Sequence, residues 1–320
     1  MKHIAQQIHR HLEGASLIVV VPHQSPDGDA LGAATAMLEH LLEKGKDAHI
    51  FCFTPIKVER WEFLRHAERV TSNPEVIKNP KVDTIIVLDS GDLRYAGVAD
   101  LLTDHPATII NIDHHATNEH FGHYNLVLPT ASSTTEVLYH FFKHGNAAIN
   151  KPMATSLLTG LITDTDSFTN AATSADVMHT ASDLIRHGGN LNTVTGSTIK
   201  NKSIAALRLW GTVLARLQKN EELSLAYTYI TQQDLKDHNL NDTESEGIAN
   251  FLNNLEDTKI ALILKETADD KIKGSFRTTR DDVDVTVFAK KLNGGGHKKA
   301  AGFTTTGTIQ EVLDRILTST

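Results

Sequence analysis

Four short runs, almost wholly apolar, constrain this chain more than any other feature: LIVVV at 17–21, AHIFCF at 48–53, TIIVLD at 84–89 and TIINID at 108–113. A strand with one wet face alternates apolar and polar residues. A run without that alternation suits a strand buried on both faces of a parallel sheet. Parallel neighbours need a crossover between them, usually a helix. Residues 30–44 supply one, with apolar positions at helical spacing and Gly45 as a stop signal. WEFLRHAERV at 61–70 reads as another helix. The series is βαβ, so the expected class is α/β, with an N-terminal doubly wound, mainly parallel sheet.

Helical patterns dominate from 134 to 218. Ser133 and Glu136 have the spacing of a capping box ahead of EVLYHFFKHG. Further helices are expected at 152–163, 176–187 and 202–218. From 224 onward the pattern restarts. LAYTYI, IALILKET and KIKGSFRTT read as strands, and EGIANFLNNLED, VTVFAKKLN and TIQEVLDRILTS as helices. This describes a smaller C-terminal α+β domain. The expected organisation is a catalytic domain at 1–190, a helical linker at 191–222 and a second domain at 223–320. A length of 320 residues agrees with two domains of about 150 residues each.

Composition narrows the functional classes. The net charge is −8, from 31 Lys and Arg against 39 Asp and Glu. An acidic surface grips long duplex DNA poorly, although a short anion in a local basic pocket fits. The first residues lack the apolar centre of a signal peptide. No stretch approaches the roughly 18 apolar residues of a membrane span. The single cysteine, Cys52, lies in a strand-like run and reads as a buried core residue. A cytoplasmic protein with no membrane partner is expected.

Acids and histidines gather where the apolar runs end. His23, Asp27 and Asp29 follow the first run, in HQSPDGD. Asp89 ends the third, and Asp113, His114 and His115 end the fourth. Asp164 sits in LLTGLITDTDSF. The carboxyl ends of parallel strands line one edge of the sheet, where ligands bind. Three clusters therefore converge there, and the fourth arrives from the helical segment. DGD alone makes an ordinary helix cap and turn. Adjacent histidines after a strand are harder to explain that way. Carboxylate plus imidazole suits Mn²⁺, with Mg²⁺ or Co²⁺ as substitutes. A ligand set of this size exceeds what one catalytic ion needs. Two divalent metal ions about 3.5–4 Å apart, sharing a bridging carboxylate, would use it fully.

HQSPDGD, VLDSGD, NIDHH and TGLITDTDSF, in that order, resemble the four motifs of the DHH phosphoesterase superfamily. GGGHKKAAGF resembles the glycine-rich motif of its associated DHHA1 domain. The match spans nearly the whole chain and looks most like the nano-RNase group, also described as oligoribonuclease/pAp phosphatase. The resemblance implies that His23, Asp27 and Asp89 hold one ion, and that Asp29, Asp89, His114 and Asp164 hold the other. Asp89 would bridge them. His115 would contact the substrate phosphate or assist proton transfer, and Asp113 would orient a histidine. Many relatives have glycine two positions after the fourth-motif aspartate, where this chain has Asp166.

GGGH at 294–297 is flanked by Lys290, Lys291, Lys298 and Lys299, with Arg277 and Arg280 upstream. By itself this is a tight turn among solvated lysines. Beside the N-terminal motifs it reads as a phosphate- and nucleotide-binding face. Arg277 and His297 would be the main contacts, Gly295 and Gly296 would shape the pocket, and Arg280 and Lys298 would assist. The expected partners are short single-stranded RNA or DNA oligonucleotides, or small nucleotides such as pAp, held between the two domains. A homodimer is common among similar proteins. The rivals are a phosphodiesterase for cyclic-dinucleotide products such as pApA, a manganese pyrophosphatase, and a non-catalytic nucleotide sensor.

Overall fold

All four apolar runs form strands. The structure, a computed structural model, describes residues 1–198, 203–241 and 247–318, apart from the side chains of 250, 254 and 297. The chain divides into two units, Met1–Asn201 and Lys202–Thr320. The first unit runs α1 (Lys2–Gly14), β1 (Leu17–Pro22), α2 (Gly28–Glu43), β2 (Asp47–Phe51), β3 (Val70–Thr71), α3 (Glu75–Lys78), β4 (Thr84–Leu88), β5 (Thr108–Asp113) and β6 (Tyr124–Val127). Helices α4 (Thr134–His144), α5 (Lys151–Asp164), α6 (Ala175–Arg186) and α7 (Leu191–Thr198) follow.

The strands make one parallel sheet in the order β3-β2-β1-β4-β5-β6. The order reverses direction between β1 and β4, which is the switch point where open α/β sheets bind ligands. Successive residues feed opposite cores. Ile18, Val20, Ile86, Leu88, Ile110 and Ile112 pack with residues of α2, α4 and α5. Val19, Val21, Ile85 and Val87 pack on the other face with Ile77, Val98 and Leu102. Helices α2 and α5 cross closely. A Cβ on Gly32 would lie 2.4 Å from the Ser156 carbonyl oxygen, and one on Gly160 would lie 2.2 Å from Asp29 Oδ1.

One expected helix is absent. Residues 58–69 form turns and two 3₁₀ segments, Val58–Arg60 and Ala67–Arg69. Trp61, Leu64 and Ala67 pack together with Leu31. Their spacing of three matches the 3₁₀ period. His66, at φ 75°, interrupts any continuous right-handed helix. The capping box at α4 is half formed: Ser133 Oγ accepts from Glu136 N at 3.1 Å, whereas the Glu136 carboxylate accepts from Ser132 N at 2.6 Å.

The second unit contains α8 (Ile204–Ala215), β7 (Gln218–Asn220), β8 (Leu225–Ile230), α9 (Gln232–Asp237), α10 (Ile248–Phe251) and β9 (Ile260–Glu266). It continues with β10 (Lys271–Arg277), α11 (Thr286–Lys290), β11 (Gly295–His297), β12 (Ala300–Thr306) and α12 (Ile309–Leu317). Its mixed sheet has the order β11-β12-β10-β9-β8-β7, with β8 and β9 parallel and the other pairs antiparallel. Two helices are shorter than their sequence patterns suggest. In EGIANFLNNLED, α10 passes into a 3₁₀ turn at Leu252–Asn254, because asparagine favours turns over helix interiors. In VTVFAKKLN, α11 is closed by the Gly294 N–H bonding back to the Ala289 carbonyl. Among the described residues, no helix is long and apolar enough to cross a membrane.

Candidate metal centre

The carboxyl ends of β1, β4 and β5 and the last turn of α5 bring the acids and histidines together. Three overlapping groups form, and in each one donor atom per residue lies within 4.8 Å of the others: His23, Asp27 and Asp89; Asp89, His114 and His115; and Asp29, His114 and Asp164. Asp89 belongs to two of the groups. Its backbone has φ 57°, a left-handed conformation that turns the chain sharply off β4.

The separations have a chemical meaning. His23 Nε2 lies 3.9 Å from Asp27 Oδ1 and 3.6 Å from Asp89 Oδ2. His114 Nε2 lies 3.6 Å from Asp89 Oδ1 and 3.3 Å from Asp164 Oδ2. Most of these exceed a hydrogen bond, yet they suit neighbouring ligands of a common cation bonded at about 2.0–2.2 Å. Some of the donors are oriented by the surrounding chain. His114 Nδ1 faces the Ala131 carbonyl at 3.4 Å, which leaves Nε2 free to ligate. Asp27 Oδ1 accepts from the N–H groups of Asp29 and Ala30 at 2.9 and 3.1 Å. His23 Nδ1 is buried with no hydrogen-bond partner among the described residues.

Electrostatics support the same reading. Burial, and then the charges of Asp29, Asp27, Asp164 and Asp113, push the Asp89 pKa well above the ordinary carboxylate range. Burial and then Asp29, Asp27 and Asp113 do the same to Asp164. Burial also raises Asp29, in part offset by His114. A site of mutually repelling buried acids is complementary to cations. Carboxylate and imidazole oxygens and nitrogens fit a divalent ion of the Mn²⁺ or Mg²⁺ kind.

His115 faces the site differently. Its Nδ1 contacts Asp113 Oδ1 at 2.7 Å, and Asp113 Oδ2 accepts from Asn118 Nδ2 at 2.6 Å. Burial favours neutral His115, but Asp113 outweighs it and raises the histidine's pKa. Asp166, two residues past Asp164, is exposed and lies outside these groups. There the chain takes three successive left-handed residues, Asp166, Ser167 and Phe168.

The sequence reading missed several contacts. The first N–H groups of α4, on Thr134 and Thr135, donate to Asp29 Oδ2 and Oδ1 at 2.6 and 3.0 Å. Thr134 Oγ1 donates to Asp89 Oδ1 at 2.9 Å. Helix α4 thus aims its positive end at the acids. The run SSTTE marks a helix start, but nothing local says which carboxylates it faces. Tyr95 was also missed. Its ring lies 5.0 Å from the His23 ring, and burial followed by the charges of Asp27, Asp89 and Asp164 raises its pKa.

In the second unit, Arg277 on β10 and position 297 on β11 both register with Ala300 of β12, between them. Arg277 Nη1 donates to its neighbour's carbonyl, on Phe276, at 2.9 Å. The side chain of His297 lies outside the described residues. Gly296, at φ 137°, has no room for a Cβ, which would meet the Ala300 carbonyl oxygen at 2.5 Å, whereas a Cβ on Gly295 would meet nothing within 4 Å. Lys298 is exposed, and Arg280 Nε is paired with Asp282 Oδ1 at 3.0 Å.

Fold and site together define a metal-dependent hydrolase acting at phosphoesters. Residues 17–161 match the DHH family, N-terminal domain, and residues 222–319 match the DHHA1 domain. The chain belongs to the DHH phosphoesterase family, with a DHHA1 domain following the catalytic one. It is similar to the bifunctional oligoribonuclease and PAP phosphatase NrnA of Thermus thermophilus, at 28% identity over 94% of this chain and 88% of that protein. It is also similar to the cyclic-di-AMP phosphodiesterase GdpP of Bacillus subtilis, at 26% identity over 94% of this chain and 47% of that protein. An exopolyphosphatase-related protein from Bacteroides fragilis shares the fold, with a TM-score of 0.92 at 24% identity, over 100% of this chain and 96% of that one.

Proposed function

We propose that this chain hydrolyses phosphoester bonds in short oligonucleotides and in 3′-phosphoadenosine 5′-phosphate, using two divalent ions, with Mn²⁺ the preferred metal. The observation that carries this reading is the donor cage in which Asp89 belongs both with His23 and Asp27 and with His114 and His115. His23, Asp27 and Asp89 would hold one ion. Asp29, Asp89, His114 and Asp164 would hold the other. Bound there, the pair would supply Lewis-acid stabilisation of a phosphoryl oxygen and make a water molecule acidic enough to attack near neutral pH.

The chain's own groups do the rest. Asp113 orients His115 through the 2.7 Å contact at Nδ1. In this orientation His115 Nε2 would donate a proton to a phosphate or leaving oxygen, and Asp113 favours the protonated imidazole by raising its pKa. The N-terminus of α4 anchors Asp29 through Thr134 and Thr135 and so fixes one wall of the cage. In the second unit, Arg277 and Lys298 would attract phosphate. The open space at Gly295 would admit a ligand against the backbone. Arg280 would contribute only after leaving Asp282.

The similarity to the Thermus oligoribonuclease and PAP phosphatase supports short nucleotides as substrates. The similarity to a cyclic-di-AMP phosphodiesterase over 94% of this chain favours a second reading, hydrolysis of the linear product pApA. A net charge of −8 disfavours long duplex DNA, and a cytoplasmic setting suits these substrates. The test is release of product from 5′-labelled dinucleotides, pAp, pApA and pyrophosphate in Mn²⁺ and Mg²⁺. Turnover of dinucleotides and pAp is expected. Turnover of pyrophosphate alone would refute the proposal.

A further inference from the structure

Besides the ion cage, the same sheet edge carries a pair of exposed aromatic rings. Phe53 is 52% exposed and Tyr95 is 47% exposed. Among the described residues of the first unit, no other Phe, Tyr or Trp is exposed. A single exposed ring needs no explanation. These two lie just past β2 and in the loop after β4, on strands that flank β1 and its metal-site loop.

Both positions are built rather than incidental. Asp92 Oδ1 accepts from Arg94 N and Tyr95 N at 2.7 and 2.8 Å, which fixes the turn that carries Tyr95. The Tyr95 carbonyl accepts from Gln24 N at 3.1 Å, which ties this loop to the HQSPDGD segment. One side of the Tyr95 ring stands against the His23 imidazole, tilted by 31°. Nearly half of the side chain stays open to solvent. Phe53 lies against Gly97, two residues along the same loop. Gly97 is at φ 72°, and a Cβ there would come within 2.7 Å of Phe53 Cβ and Cγ. Cys52, next to Phe53, directs its thiol at the His23 carbonyl oxygen at 3.8 Å. The loop is therefore shaped around both rings, beside a metal ligand.

We propose that Tyr95, on the loop whose Gly97 packs against Phe53, is a stacking site for one nucleobase of the substrate, the base attached to the sugar nearest the reacting phosphate. The inference rests on the phosphoesterase reading above and adds to it the part of the substrate that is read. An aromatic face accepts every base and contributes through stacking. The ring faces give a bare phosphate chain no stacking partner, leaving it at most the Tyr95 hydroxyl, so the site favours nucleotides over inorganic polyphosphate.

The experiment compares a dinucleotide with an analogue in which the base next to the scissile phosphate is absent. Wild type should prefer the base-bearing compound in kcat/KM. Tyr95→Ala should raise KM for that compound by about 5- to 150-fold, the range of one base–aromatic stack, and collapse the preference towards one. Tyr95→Phe should keep the preference. A dinucleotide carrying 2-aminopurine at that position should lose fluorescence on binding wild type and Tyr95→Phe, but much less on binding Tyr95→Ala. Phe53→Ala should weaken the preference in the same direction. Equal losses on both compounds in Tyr95→Ala, or equal damage from Tyr95→Phe, would overturn the stacking site and leave the phosphoesterase reading standing. Failure of wild type to cleave either compound would overturn both.

Discussion

Changing Asp89 to asparagine should reverse the stability order of two proteins according to whether metal is present. Asn is nearly isosteric, tolerates the φ of 57° seen at this position, and can still accept the Thr134 hydroxyl. What it removes is charge. The nearest donor atoms of Asp27 and Asp89 lie within 4.8 Å of each other, and two full charges at that distance repel by about 3.5 kcal/mol at an effective dielectric of about 20. Asp27 is 58% exposed, so solvent screening reduces the relief to about 1–2 kcal/mol. For a unit of this size, about 2–4 °C of melting temperature accompanies each kcal/mol. In EDTA, Asp89→Asn should therefore melt about 2–8 °C above wild type. Mn²⁺ at about a hundred times its dissociation constant contributes about 2.7 kcal/mol to wild type, or about 5–11 °C. The variant, lacking the shared carboxylate, should gain almost none of that, so wild type should melt higher once Mn²⁺ is present, and the variant's turnover should vanish. The assay is differential scanning calorimetry with and without Mn²⁺. A variant that melts below wild type in EDTA yet shows the full Mn²⁺ shift would refute the electrostatic reasoning.

Further outcomes follow from other contacts. His40 is buried on α2 against Phe142, with ring centroids 4.8 Å apart, and burial followed by His9 and Lys44 lowers its pKa from 6.5 to about 4. The unfolded chain therefore takes up this proton first as pH falls, so stability is full above pH 6.5 and lost between there and pH 4. Urea titrations should show the stability difference between His40→Leu and wild type moving by about 3 kcal/mol in the variant's favour across that window. Asp166→Gly should raise stability by about 1 kcal/mol in the same titration, because glycine relieves the left-handed strain. Thr134→Val removes the hydroxyl bound to Asp89 and should weaken Mn²⁺ about 10- to 100-fold by calorimetric titration. Gly160→Ala drives a methyl into Asp29 and should cost about 1–3 kcal/mol of stability together with metal affinity.

The parallel sheet was legible because its central strands are buried on both faces, which leaves uninterrupted apolar runs. The segment at 61–70 was misread because a spacing of three among Trp61, Leu64 and Ala67 lies close to helical spacing. Only the backbone at His66 separates the two. β3 and β7 are too short to leave a pattern, and β11 is glycine-rich. The acids and histidines of the candidate site were visible because so many of them fall together at the ends of buried strands. Their supports were not visible. That Thr134 and Thr135 cap Asp29, or that Asn118 holds Asp113, depends on elements that meet only after folding. Tyr95 carries no local signal, since an exposed tyrosine in a turn is ordinary until its neighbours are known.

The most direct test is anomalous diffraction at the manganese edge from crystals soaked in Mn²⁺. Two peaks about 3.5–4 Å apart are expected, one bounded by His23 and Asp27, the other by Asp29, His114 and Asp164, with Asp89 between them. A single peak, or peaks that do not touch Asp89, would contradict the shared-carboxylate site.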